Sequence, residues 1–213
     1  GSSVTVSSVP GSPVVGCIGA GNFAKLILFP SLTRTQSRLK MIADLDPVTC
    51  THAAKKYKFE YSSTDYNEIL ADPDINTIFI TTRHDSHAQL VAESLEAGKN
   101  VYVEKPLALT YEELENIQSS IIRHTSSILM VGFNRRFAPH IAKMKSLLEL
   151  RKQPKSFIFT INAGAIPADH WTQDRDVGGG RIVGEGCHFI DLMRFLANSP
   201  IVEWSAQGME NDT

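Results

Sequence analysis

The chain has 213 residues, 42% of them hydrophobic, and its 21 Lys and Arg nearly balance 23 Asp and Glu, for a net charge of −2. That balance gives no electrostatic reason to expect a nucleic acid or an acidic membrane surface as partner, and no apolar run approaches the roughly 18 residues of a membrane span. A soluble, cytoplasmic globular protein of one or two domains is expected. The three cysteines, Cys17, Cys50 and Cys187, are an odd number without C-x-x-C spacing. They read as reduced thiols, with no disulfide and no metal site.

Residues 1–12, GSSVTVSSVPGS, have neither a basic start nor a hydrophobic segment and read as a linker or leader. The first element follows at once. Residues 13–18, PVVGCI, are expected as a buried strand and Asn22 onward as a helix, with Gly19, Gly21 and Ala24 at the junction in G-x-G-x-x-A spacing. Such a turn suits a dinucleotide. One glycine permits the tight turn, the second lets a pyrophosphate approach the backbone, and the third small residue lets helix and strand pack closely. The pyrophosphate meets the free N–H groups of the helix start, here around Asn22 and Phe23. Residues 39–43, LKMIA, read as the next strand and end in Asp44, 23 positions after Gly21. An acid there accepts hydrogen bonds from the adenosine ribose, and it favours NAD over NADP because it repels a 2′-phosphate. Asp46, before Pro47, reads as the cap of the helix that follows.

The pattern then alternates, as in a parallel sheet covered by helices on both faces. Helices are expected over residues 46–57, 64–71 and 86–97, the last stopped by Gly98, and strands over 75–82, 100–105 and 128–133. Thr110 and Glu113 form a capping box for the helix TYEELENIQSSI. Six strands are counted to Phe133, five of them placed. The dinucleotide-binding domain is therefore drawn at residues 13–137. From residue 138 the character changes: an amphipathic helix to Leu150, a polar break, the alternating run SFIFTINA over 156–163, a glycine-rich loop, the helix HFIDLMRFLAN, and IVEWSAQGM over 201–209. Residues 138–213 read as the start of an α+β domain with two strands. Two strands do not make a stable open sheet, so the domain is expected to be partial, its remaining strands coming from elsewhere.

Five features, GCIGAGNFA, the acid Asp44, VYVEKPLALT, GFNRRFAPH and GGGRIVGEGCHFIDL, together resemble the Gfo/Idh/MocA family of NAD(P)-dependent oxidoreductases over residues 14–209. The resemblance implies a Rossmann doubly wound parallel sheet followed by an α+β open-sheet domain that binds substrate and builds a homo-oligomer. It also implies hydride transfer between NAD, or NADP, and a hydroxyl-bearing carbon of a sugar or nucleotide sugar. The wording GEGCHFID, with NAGAIPADHW before it, is similar to the branch fused behind zinc-alcohol-dehydrogenase-like domains in polysaccharide pathways, which implies an upstream fused domain.

Oxidising a secondary alcohol needs a hydride acceptor over the carbon and a base for the hydroxyl proton. Glu104-Lys105-Pro106 ends a strand at the sheet edge where open α/β folds place ligands, and Lys105 is the first catalytic candidate, since the positive ring of an oxidised nicotinamide disfavours an adjacent ammonium. In the family a cis peptide before this proline aims the lysine. His188 is the second candidate, as the residue that the resemblance sets against the nicotinamide. Where many members carry an aspartate four residues before this histidine, the chain has Gly184, followed by Glu185. Thr82, Arg83 and His87 are expected to line the cofactor cleft. Arg135 and Arg136 are candidates for a substrate carboxylate or phosphate, Asn162 and His170 for sugar hydroxyls, and Trp171 for a stacking face. The alternative from another class is a non-catalytic NAD(P)-binding sensor or subunit module.

Overall fold

The computed structural model describes residues 12–208, so the expected leader lies almost wholly outside the described residues. Two compact units emerge, one of residues up to Gly132 together with Ile166–Glu185, the other of Phe133–Ala165 with the residues from Gly186 on.

The first unit is a six-stranded sheet in the order β3-β2-β1-β4-β5-β6, formed by β1 (Val14–Ile18), β2 (Arg38–Ala43), β3 (Tyr61–Ser63), β4 (Thr77–Ile80), β5 (Asn100–Val103) and β6 (Leu129–Val131). Every pairing is parallel. This is the doubly wound arrangement expected from the alternating pattern, with β1 central and the strand order reversing between β1 and β4. The strand that was counted but not placed is β3, three residues long and polar.

Alternation along each strand builds a core on both faces. Val15 and Cys17 join Phe29, Leu39, Ala53, Tyr57 and Phe59 on one side. Ile18 joins Ile69, Ile78, Ile80, Val91, Leu95 and Ile117 on the other. Burial pushes the Cys17 thiol pKa far up, so it behaves as a small apolar side chain. The helices begin where their caps allow. Asp46 accepts from the N–H groups of Val48 and Thr49, both at 3.2 Å, to start α2 (Pro47–Tyr57). After α3 (Asn67–Ala71), a 3-10 turn (His84–Ser86) leads into α4 (His87–Glu96), which ends at Gly98 with φ +72°. Both halves of the Thr110–Glu113 capping box form at the start of α5 (Tyr111–Arg123). Near the amino end, a π-turn (Ala24–Leu28) runs into α1 (Phe29–Leu32).

The second unit holds α6 (Pro139–Glu149) and α7 (Cys187–Ala197). Arg136 grips Asp191 with two hydrogen bonds, one of 2.7 Å from Nε, and this pairing raises the Arg136 pKa. Lys145 Nζ donates to Phe195 O at 2.8 Å. The strands expected over 156–163 and 201–209 are corrected: among the described residues, which end at Gly208, neither segment joins a ladder. Alternation is present, with Phe157 and Phe159 half-buried and Ile158 92% exposed, but a strand needs a partner and neither run finds one. The expected sheet of the second half is therefore not observed in these residues.

Candidate active site

The site is built at the carboxyl edge of the first unit's sheet. Ile18 is level with Ala43 on one side and Ile80 on the other, and Ile80 with Val103. The residues that follow these four strand ends, Gly19, Asp44, Thr81 and Glu104, therefore share one edge. Gly19 leaves β1 with φ +95°, and a Cβ there would come within 2.8 Å of the Thr81 carbonyl group, so conformation and space both exclude a side chain. Gly21 differs: a Cβ would meet only Thr81 O, at 3.7 Å, and the residue is exposed. Bare backbone at Gly21 and Asn22 thus faces open space, while Ala24 is fully buried beneath. Those are the conditions a pyrophosphate on this turn would need.

Asp44 lies at the end of β2, half-buried. Its Oδ2 accepts from Ala20 N at 2.6 Å and its Oδ1 from Asp46 N at 2.9 Å. The carboxylate therefore ties the glycine turn to the second strand, and each oxygen keeps a lone pair for a further donor.

The Lys105–Pro106 peptide is cis, as the family resemblance led us to expect. Lys105 is half-buried and donates from Nζ to the Gly184 carbonyl at 2.8 Å. Glu104, 9% exposed, accepts from Tyr102 Oη at 2.6 Å, and burial raises its carboxyl pKa above the usual range. His87 has no exposed surface; its Nδ1 is 2.7 Å from Pro106 O and its Nε2 3.2 Å from Thr82 O. Burial lowers its pKa, while the two carbonyls oppose that shift. Thr82 is half-buried, accepting from Ser86 Oγ at 2.6 Å, and Arg83 is exposed.

Sequence reasoning passed over His84. This residue is 8% exposed, with Nδ1 2.8 Å from Gly178 O and its ring edge-on to Trp171 at 4.8 Å. Burial, with a smaller contribution from the Lys105 charge, lowers its pKa to about 4. Trp171, half-buried, also has the Arg83 guanidinium 5.7 Å from its ring. His170 is exposed and its Nδ1 lies 2.8 Å from Thr172 Oγ1. Glu185 pairs with Arg181 at 3.1 Å. In a sequence reading, H-D-S-H offers two histidines of equal chemistry, and only the tertiary partners distinguish them.

The remaining candidates belong to the second unit. His188 is 8% exposed, its ring 6.1 Å from that of Phe133. Arg135 lies over Phe189 at 4.6 Å, the Arg136 fork is taken by Asp191, and Asn162 is exposed.

The family described as an oxidoreductase family with an NAD-binding Rossmann fold, GFO_IDH_MocA, matches residues 14–133. A Bacillus subtilis (strain 168) protein named uncharacterized oxidoreductase YrbE is 31% identical over 195 residues, covering 92% of this chain and 57% of its own length. The scyllo-inositol 2-dehydrogenase (NAD(+)) of the same organism is 31% identical over 174 residues, covering 79% of this chain and 49% of that protein. A solved structure of levoglucosan dehydrogenase in complex with NADH and L-sorbose is similar with a TM-score of 0.75 at 28% identity, over 87% of this chain and 53% of that one. The chain thus spans about half the length of the relatives it matches.

Proposed function

The chain belongs to the Gfo/Idh/MocA family of NAD-binding Rossmann oxidoreductases, and from that premise we propose that it carries the cofactor site and the proton-transfer lysine of an NAD-dependent dehydrogenase acting on a secondary alcohol of a sugar, nucleotide sugar or cyclitol. The observation that carries the reading is the position of Lys105. It stands at the carboxyl end of β5, on the same sheet edge as the Gly19 turn and Asp44, so a ligand spread along that edge would meet all three.

Gly21 and Asn22 would hold the pyrophosphate through backbone N–H groups, at the turn that Gly19 makes while its own N–H donates to Ala43 O at 2.8 Å, Asp44 would hold the adenosine ribose, and the Thr82 turn with Glu104 the nicotinamide end. When bound, oxidised nicotinamide supplies the hydride acceptor. Lys105, as the neutral amine, takes the hydroxyl proton as the carbon–hydrogen bond breaks, becoming the ammonium, and returns the proton in the reverse direction. His188 is proposed as a second acid–base group, and Arg135, Asn162, His170, Trp171 and Glu185 as substrate contacts, whereas Arg136, expected as one, has its fork committed to Asp191. Support for a polyhydroxylated substrate comes from two similar proteins, an inositol dehydrogenase and a levoglucosan dehydrogenase.

A second reading, a cofactor-sensing module without turnover, is favoured by one observation: Gly184 offers no carboxylate where many members have one. Titration with NAD and NADH, followed by assay of NADH formation with a panel of inositols, anhydrosugars and nucleotide sugars, separates the readings. With turnover assayed on the full-length protein, binding with turnover supports the dehydrogenase, binding without turnover on any panel member supports the sensor, and absence of binding overturns both. In the dehydrogenase, Lys105→Met should bind NADH within about threefold of wild type while turnover falls by roughly 10² or more; near-wild-type turnover would remove Lys105 from the mechanism.

A further inference from the structure

The segment carrying Gly184 is not an independent loop. Asp174 O accepts from Gly178 N at 2.8 Å and Gly179 N at 3.0 Å, and Asp174 Oδ1 accepts from Asp176 N at 2.8 Å, which curls the chain into a tight turn. Two bonds fasten that turn to the β4–α4 connection: Asp85 N to Val177 O at 3.2 Å and His84 Nδ1 to Gly178 O at 2.8 Å. A carbonyl can only accept, so the His84 proton is on Nδ1. The far end of the turn folds back on the same ring. A Cβ at Gly184 would stand 3.0 Å from Gly178 O and 3.3 Å from His84 Cε1, so the absent side chain is what allows Gly184 to close against His84. The carbonyl of Gly184 then receives the Lys105 ammonium at 2.8 Å.

We propose that His84 is a positioning residue for Lys105: by donating to Gly178 O it holds residues 177–184 so that the Gly184 carbonyl fixes the lysine head where β5 ends. In this chain a backbone carbonyl, set by a histidine from another element, holds the lysine. The inference rests on the assignment of Lys105 as the proton-transfer group only for its catalytic meaning; the geometry stands without it. The groups facing His84 are Lys105 and His87, which disfavour its protonation, and Asp85, which favours it. Burial outweighs them, so the ring remains a neutral donor at neutral pH.

The test uses two variants with opposite properties. His84→Phe keeps a ring against Trp171 but has no donor; His84→Asn keeps a donor at the Nδ1 position but loses the ring. Hydrogen exchange of residues 174–184 and the rate of acylation of Lys105, read by mass spectrometry with and without NADH, report position without any turnover. Thermal melting checks that each variant is folded. In His84→Phe, exchange of the segment and labelling of Lys105 should both rise at least fivefold, and His84→Asn should restore both to within twofold of wild type. A folded His84→Phe that matches wild type overturns the proposal. So does a His84→Asn as loose as His84→Phe, which would assign the role to ring packing. If either variant fails to fold, Gly184→Ala serves in its stead: displacement of the Gly184 carbonyl should speed Lys105 labelling as much, and unchanged labelling overturns the proposal. If Lys105→Met retains turnover, the functional reading falls while these measurements keep their meaning.

Discussion

Asp44 has a structural role on which its proposed ribose contact would rest. Its carboxylate already holds the Ala20 and Asp46 amides, so it is pinned at the end of β2 before any ligand arrives, and the next residue, Leu45, is 91% exposed and uncharged. A 2′-phosphate brought to this point meets a fixed negative charge and no arginine. At about 4 Å and an effective dielectric of about 20, two such charges repel by roughly 4 kcal/mol. Calorimetry should accordingly find NADH bound at least tenfold more tightly than NADPH, and Asp44→Ala should weaken NADH and narrow the gap. Equal affinities in the wild-type protein would remove Asp44 from ribose recognition. Asp44 and Lys105 were legible in the sequence because a strand end and a glycine turn define their surroundings locally. His84 was not, because its partners Gly178 and Trp171 lie about ninety residues away, and no local pattern encodes that meeting.

Elements read well wherever they end on a chemical signal. The Asp46 and Thr110 caps and the Gly98 stop mark helix ends within a residue or so, because each satisfies a backbone group the helix leaves open. β3 escaped because three residues, Tyr61–Ser63, are too few to show a period. A close approach between elements is likewise silent in sequence. Gly16 in β1 sits directly beneath α3: a Cβ there would collide with Ile69 Cγ2 and come within 3.3 Å of Ile75 Cγ2. Ile69 and Ile75 are almost wholly buried and have little room to retreat. Gly16→Ala should therefore destabilise the first unit by about 1–3 kcal/mol through overpacking. Urea denaturation followed by circular dichroism should show a lower midpoint with an unchanged slope, and a midpoint equal to wild type would mean that α3 does not press on β1 in solution.

Across the whole molecule, the two units differ in how they satisfy their backbone. Strands β1, β2, β4 and β5 each have neighbours on both sides, whereas residues 156–163 and 201–208 lie outside any ladder among the described residues, with Ile158, Val202 and Trp204 at 92%, 93% and 80% exposure. Exposed apolar segments without a ladder of their own invite pairing. In dilute protein their amides should exchange within seconds while those of β1 and β4 persist for hours, and protection in both segments should grow with concentration as light scattering detects association. Strong protection there in a monomeric sample would contradict the unpaired arrangement. The alternation that suggested strands in this half was a sound reading of side-chain pattern; the ladder itself depends on a second strand, which periodicity cannot supply.

The central position of β1 also has a consequence for the order of events during synthesis. Within this sheet β1 precedes both of its neighbours, β2 and β4, in the chain, and its pairing with β4 joins Val15 to Thr77. The turn at Gly19 is closed only when Thr81 N reaches Ile18 O, at 2.8 Å. A nascent chain stopped short of β4 therefore has the glycine motif but not its floor, and long-range parallel pairing of this kind is slow. Cofactor capture belongs late in the assembly of this domain, after the sheet has grown outward on both sides of β1.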